Sequence, residues 1–197
     1  MKTVVCCLDL EGVLAPEIWV AVSKKTRIPE LSLTTRDEPD YDKLMRRRLK
    51  ILRARRIRLR DIQSVIAEIN PLPGAVKFLD ALRARRQTVI LSDTYYEFAM
   101  PLMRKLKYPA LWCNRLSVDS AGYIADYHLR QRNGKEKAAS GLKKLGFEVY
   151  AAGDSYNDIG MLRAADRGVL FHPPANISKE FPQFKVVKDY KQLLAAL

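Results

Sequence analysis

Three short stretches of this chain place acids beside turns: Asp9-Leu10-Glu11-Gly12-Val13, Leu91-Ser92-Asp93-Thr94 and Gly153-Asp154-Ser155-Tyr156-Asn157-Asp158. A carboxylate at a strand end can act as a nucleophile and take a phosphoryl group as an aspartyl-phosphate, and Asp9 has that position. An acid two residues on, Glu11, can protonate a leaving oxygen and then help to activate water. Gly12 lets the chain turn sharply away. Taken alone, this stretch is also a plain polar turn. The Ser92 hydroxyl and a backbone N–H can hold a phosphoryl oxygen, although Ser-Asp-Thr is also ordinary helix-capping chemistry. In the third stretch, Asp154 and Asp158 lie four apart at a glycine turn with Asn157 between them. That is an oxygen-rich corner suited to Mg²⁺, which takes carboxylate and phosphate oxygens and keeps several waters. A helix N-cap accounts for Asp154 or Ser155, but not for Asn157 and Asp158. Carboxylates gathered around a phosphate need positive charge among them. Lys135, after Asn133-Gly134 at the start of an expected helix, can supply it; Lys137 is the alternative.

These residues must be positioned by regular elements. Apolar runs at 3–10, 87–91, 110–113, 148–152 and 167–171 are predicted strands, and 74–85, 96–106, 135–145 and 156–165 are predicted helices. Strands alternating with helices imply a parallel sheet covered on both faces, an α/β Rossmann-like core. Parallel sheets place ligands beyond the carboxyl ends of their strands, so the three acidic stretches should meet at one edge. Residues 115–127 read as a β-hairpin turning at Ser120-Ala121-Gly122.

The segment 15–70 interrupts the alternation. It is Arg-rich and helix-like, starts at Pro16 and ends at Pro71-Leu72-Pro73-Gly74. It reads as a small helical cap inserted after the first strand, which leaves 1–14 and 71–197 as the core domain. Such lids exclude water and help to choose the substrate. Across 44–60, helical spacing puts Leu44, Met45, Leu49, Ile51 and Leu52 on one face and Arg46, Arg47, Lys50 and Arg53 on another. Arg48 falls on the apolar face. A buried guanidinium needs an anion. That anion is either a cap acid such as Glu17 or Asp42, or a substrate carboxylate held bidentately. In the second case Glu17 would face the substrate's ammonium group; otherwise it is a solvated acid after Pro16.

The four motifs in this order, Asp9 to Glu11, Ser92-Asp93, Lys135 and Asp154 to Asp158, resemble the haloacid dehalogenase superfamily of phosphotransferases. LSDTYYEF, GDSYND and RRRLKIL are similar to the phosphoserine phosphatase group. DLEGVL, PEIW and the FP-F segment at 181–184 resemble its bifunctional branch, which also transfers the phosphoryl group to homoserine. The resemblance implies roles. Asp9 would be nucleophile and Mg²⁺ ligand. Glu11 would be general acid/base and would give Mg²⁺ its backbone carbonyl. Ser92 and Asp93 would bind phosphate, Asp93 by its backbone, and Lys135 would neutralise phosphoryl charge. Asp154 would complete the metal site, with Asp158 supporting it, and Asn157 would hold the substrate. The implied substrate is a small phosphorylated amino acid. Most superfamily phosphatases carry Asp where this chain has Glu11. The extra methylene displaces the carboxylate, to which proton delivery is sensitive, and leaves an acyl-phosphate open to a hydroxyl acceptor.

Composition bounds the alternatives. The 197 residues, 48% apolar and 29% charged, suit a soluble globular chain with one core and a small insert. No apolar run approaches the ~20 residues of a membrane helix. The start MKTVVCCLDLEG lacks a signal-peptide pattern, so a cytoplasmic chain without membrane contact is expected. Cys6, Cys7 and Cys113 have neither disulfide nor zinc spacing and are expected to be free thiols. The net charge of +13 suits an enzyme that attracts phosphorylated metabolites. It also suits a polyanion or RNA binder, the less favoured partner because the arginines lack interleaved aromatics. A phosphatase of another small metabolite is the remaining alternative. A homodimer is compatible with the sequence.

Overall fold

The computed structural model describes residues 2–34, 37–38 and 40–197. Seven strands form one sheet: β1 (Val4–Leu8), β2 (Gln87–Tyr95), β3 (Ala110–Val118), β4 (Ile124–His128), β5 (Glu148–Gly153), β6 (Arg167–Phe171) and β7 (Lys185–Val187). Their order is β4-β3-β2-β1-β5-β6-β7, with every pairing parallel except β3 with β4. The apolar first strand is therefore central. Its neighbours run in register, with Leu8 opposite both Ile90 and Ala152. That register brings the residues following Leu8, Ile90 and Ala152 to the same carboxyl edge, and so assembles the site.

Cys6 and Cys7 show how both faces are covered. Cys6 and Leu8 join a core formed with α4 (Ala75–Arg83), α5 (Tyr96–Lys105) and α9 (Tyr190–Ala196). Val5 and Cys7 join a second core with α6 (Gly134–Lys144), α7 (Ile159–Ala164) and α8 (Ala175–Glu180). Alternate side chains of a strand point to opposite faces, so the two neighbouring thiols never meet. All three cysteines are free.

Between β1 and α4 lie α1 (Ile18–Thr26), α2 (Tyr41–Ala54), α3 (Leu59–Glu68) and a 3₁₀ turn (Pro29–Ser32). Ile18, Val22, Leu31, Met45, Leu52, Ile62 and Ile66 from these helices share the first core with Phe98 and Leu102 of α5. The basic stretch 44–60 is not one helix. α2 stops at Ala54, Arg56 takes a positive φ of 56°, and α3 restarts at Leu59, capped by Asp61 accepting the Arg58 N–H. The predicted 110–113 strand and 115–127 hairpin prove continuous, because β3 runs unbroken into its antiparallel partner β4. The 156–165 helix begins as a 3₁₀ turn, since Asp158 spends its carboxylate on the preceding backbone. Among the described residues no helix is long and apolar enough to cross a membrane.

Candidate active site

Asp9 follows directly from β1. Its N–H donates to the Ala152 carbonyl (3.0 Å), extending the β1–β5 ladder by one bond. Its Oδ1 accepts from the Leu10 N–H (2.8 Å) and from Lys135 Nζ (2.9 Å). Its Oδ2 makes no hydrogen bond among the described residues. Burial, then the Asp158 carboxylate, push the Asp9 carboxyl well above the usual range.

Lys135, in the first turn of α6, reaches back across the sheet edge. Its ammonium touches Asp9 (2.9 Å) and Asp158 (2.8 Å) and lies 3.6 Å from Asp93. Burial disfavours its charge, yet Asp158, Asp9 and Asp93 outweigh that cost and hold its pKa well above the ordinary lysine value. Lys137, the alternative phosphate lysine, has no contact with this cluster among the ion pairs of the described residues. Asp158 is fully buried. One oxygen meets Lys135; the other accepts the Asp154 and Ser155 N–H groups at 3.0 and 3.1 Å, closing the turn after β5. Gly153 makes this possible, because a Cβ there would lie 2.3 Å from that of Asp158.

Asp154 faces Asp9 from β5. Its Oδ1 is buried and has no hydrogen-bond partner among the described residues. Burial, then Asp158 and Glu17, raise its pKa to about 7. Gly12 has φ +82°, and a Cβ on it would stand 2.3 to 2.5 Å from the Asp154 carboxyl, so the glycine both makes the turn and admits the acid. Oxygens of Asp9, Asp154 and Asp158 all lie within 4.8 Å of one another. At that spacing two carboxylates repel by about 3–4 kcal/mol at an effective dielectric of ~20. One lysine does not offset three such acids. An orphaned buried carboxylate oxygen within an acid set short of positive charge fits a hard divalent cation, which takes oxygen ligands.

The end of β2 supplies the next wall. Ser92 Oγ accepts the Thr94 N–H (3.2 Å), and half-exposed Asp93 accepts from Asn157 Nδ2 (3.1 Å). Asn114 was not singled out from the sequence. Its buried amide donates to the Asp93 carbonyl (2.9 Å) and accepts the Arg130 N–H (2.9 Å). It therefore ties the Ser92-Asp93 end of β2 to the segment leading into α6 and Lys135. The available signal was an Asn inside a strand-forming run, where polar residues are disfavoured without a partner.

Glu11 and Arg48 mark the side of the site towards the inserted helices. Glu11 Oε2 accepts the Ile18 N–H at the start of α1 (2.9 Å). Burial, then the nearby Glu17 carboxylate, raise its pKa to about 8. Glu17 itself is exposed. Arg48 is buried, as helical spacing predicts, and only 5% exposed. Neither acid suggested from the sequence holds it. Asp42 instead pairs with Arg46 (3.1 Å) and accepts the Tyr127 hydroxyl. Arg48 Nη2 donates to the Leu33 carbonyl (2.6 Å), and its guanidinium stacks 4.3 Å over the Trp19 ring. Among the described residues it has no ion pair, and its Nε has no partner. Beside it the Tyr41 and Tyr95 hydroxyls meet at 2.7 Å.

Three close carboxylates and a buried lysine thus meet at one sheet edge. The family model for haloacid dehalogenase-like hydrolases matches residues 5–166. The chain belongs to this family. Phosphoserine phosphatase ThrH of Pseudomonas aeruginosa is 53% identical to the hydrolase over 96% of this chain and 92% of its own length. A phosphoserine phosphatase of Pseudomonas syringae pv. tomato is also 53% identical, over 96% of this chain and 80% of its own. The fold is that of a solved structure of a phospho-aspartyl intermediate analogue of phosphoserine phosphatase, with TM-score 0.80, 18% identity and 99% of each chain covered.

In the hydrolase Asp9, Lys135, Asp154, Asp158, Asp93 and Asn157 converge through direct contacts, with Ser92 beside Asp93 in β2. Glu11 and Glu17 lie together, and Arg48 is within electrostatic reach of both without pairing to either.

Proposed function

We propose that the hydrolase is a Mg²⁺-dependent phosphoserine phosphatase that works through an aspartyl-phosphate on Asp9 and passes the phosphoryl group to water or to homoserine. One observation carries the reading: Asp9 presents a free Oδ2 at the sheet edge while Lys135 and the orphaned Asp154 oxygen stand beside it. The two 53% identical relatives named as phosphoserine phosphatases support the substrate.

In the first half-reaction Lys135, and a bound cation, would favour the ionised form of Asp9 against its burial; the carboxylate Oδ2 attacks phosphorus and the ester oxygen leaves with its electron pair. Glu11, protonated near neutrality with its pKa of about 8, gives that oxygen a proton. In the second, the Glu11 carboxylate takes the proton of a water or of a homoserine hydroxyl. The oxygen so freed attacks phosphorus and releases Asp9. Lys135, the Ser92 hydroxyl and the Asp93 backbone hold the phosphoryl oxygens, and Asn157 steadies the substrate. Mg²⁺, bound by Asp9, Asp154 and the Glu11 carbonyl, would supply positive charge where phosphoryl charge develops. Asp158 belongs to the same acid set, but both its oxygens are already engaged, which favours a supporting role. Glu11 is one methylene longer than Asp and is tethered to the Ile18 N–H. That geometry supports an acyl-phosphate that outlives the first step and meets a second hydroxyl.

We read residues 15–70 as the cap of this site and 1–14 with 71–197 as its core. Buried, unpaired Arg48 would take the substrate carboxylate, and Glu17 its ammonium group. The free cysteines support a cytoplasmic setting.

Phosphate release from phosphoserine, measured with and without Mg²⁺ and homoserine, tests the whole reading. Asp9→Asn should abolish turnover; unchanged turnover removes Asp9 from the mechanism. Arg48→Ala should raise KM for phosphoserine while sparing a simple aryl phosphate. Equal losses on both substrates would remove the cap arginine from recognition.

A further inference from the structure

A second concavity lies at the opposite edge of the sheet. It has a volume of about 530 Å³, and its walls include Leu82, Arg85, Arg86, Tyr150, Arg167 and Leu194. Arg85 and Arg86 lie between the end of α4 and the first residue of β2, and Arg167 opens β6. The pocket is thus at the amino ends of the strands, whereas Asp9 and Asp154 follow their carboxyl ends. Asp154 is four residues beyond Tyr150 along β5, about 13 Å at ~3.3 Å per residue. The two sites share strands but no residue.

The pocket's charge is unbalanced. Its walls carry three guanidiniums and no Asp or Glu side chain. None of the three forms an ion pair among the described residues. The acid nearby is Glu148, whose carboxylate accepts the Tyr150 hydroxyl (3.0 Å). Arg167 is already oriented. It stacks 4.4 Å from the Tyr150 ring centre and gives one N–H to the Ala196 carbonyl (3.1 Å), leaving its other donors free. The guanidiniums of Arg85 and Arg86 donate to no described group, while their backbone N–H groups both donate to the Leu82 carbonyl (3.0 and 2.8 Å). Arginine forks suit oxyanions bidentately, and half-buried Leu194 offers an apolar contact for a short stem. The volume is within the usual range for small-ligand sites.

We propose that this arginine-walled pocket is a second ligand site, which takes a small dianion on a short apolar stem. A phosphate monoester and a dicarboxylate share that chemistry. The rival account is that Arg85 and Arg86 merely complement the carboxyl end of α4 as solvated charges.

Residue-resolved NMR titrations of the full chain decide between them, because shifts at this pocket and at the catalytic edge are read separately. Propyl phosphate and succinate serve as probes at constant ionic strength. Saturable shifts clustered at Arg85, Arg86, Tyr150 and Arg167 are expected, and the tighter probe identifies the anion class. Arg86→Gln should weaken binding about tenfold, the loss of one charge-assisted hydrogen-bonding group. Arg83→Gln, at the same helix end but off the pocket wall, should leave it unchanged. Shifts that stay linear across the titration, or equal weakening in both variants, would establish diffuse screening and overturn the proposal. Neither outcome depends on whether the enzyme turns over phosphoserine.

Discussion

Lys135 and Arg48 are buried to the same degree, 4% and 5% exposed, yet their surroundings are opposite. Lys135 sits among carboxylates of Asp9, Asp158 and Asp93, contributed by three separate stretches of the core. Arg48 sits on an indole ring and a backbone carbonyl, with Glu11 and Glu17 acting on it from a distance and no ion pair among the described residues. The lysine's charge is compensated within the fold, whereas the arginine forms no ion pair among the described residues. In the function proposed above, the substrate carboxylate supplies the arginine's counter-ion, so equal burial accompanies two different roles.

The comparison breaks most easily at the lysine. Lys135→Met should cost about 3–5 kcal/mol in chemical denaturation, because it strands two buried carboxylates. A loss below about 1 kcal/mol would mean that the acids already share protons without it. The acids come next. Glu11 and Asp154 titrate at about 8 and about 7 in the fold, against ordinary values of 4.5 and 3.8. A carboxyl whose pKa is raised by folding binds its proton more tightly when folded. Its contribution to stability is fully present below about pH 4 and is lost as pH rises through about 7 to 8. Metal-free protein should therefore show a Tm that falls across that window. Added Mg²⁺ should raise Tm more at its upper end than at its lower. Asp154→Asn should flatten the fall and remove the Mg²⁺ gain; a flat profile in the unmodified chain would contradict the charge excess described above.

A smaller effect sharpens the contrast inside the core. Asn114→Ala should cost about 1–3 kcal/mol, the penalty for leaving a buried carbonyl and N–H without their amide. Because it frees the Asp93 end of β2, it should also raise KM for a simple aryl phosphate, which a purely structural loss would not do. The smallest change in stability is expected at Arg48. Arg48→Met should alter it by less than about 1.5 kcal/mol in either direction, since methionine keeps much of the packing and removes a buried charge without an ion pair, at the cost of one hydrogen bond to Leu33. A loss as large as that of Lys135→Met would show that the arginine too is framework.

Much of this was legible beforehand, for identifiable reasons. The alternation of apolar runs with helical spacing exposed the parallel core, and the strand-end acids exposed the site, because both signals lie within a few residues of each other in the chain. Arg48 was legible because a charge interrupting an apolar helical face must be buried. The α2–α3 break was not, since basic residues continue through it and only the positive φ at Arg56 marks the turn. Asn114 gave little sign, because its importance lies in linking loops that are distant in sequence.

The amino-acid order by itself determined which side chains could do chemistry and that strand ends would carry them, since propensity and periodicity act locally. Only the tertiary structure decided the partners: that Lys135 rather than Lys137 enters the acids, that Asp158 spends its carboxylate on the lysine and the Asp154 turn, and that Asp154 keeps a free oxygen against Gly12. Those outcomes depend on the register of β1 with β2 and β5 and on approaches to Gly12 and Gly153 too close for any Cβ. Distances of that kind are set by packing across the whole sheet, and no local pattern in the chain encodes them.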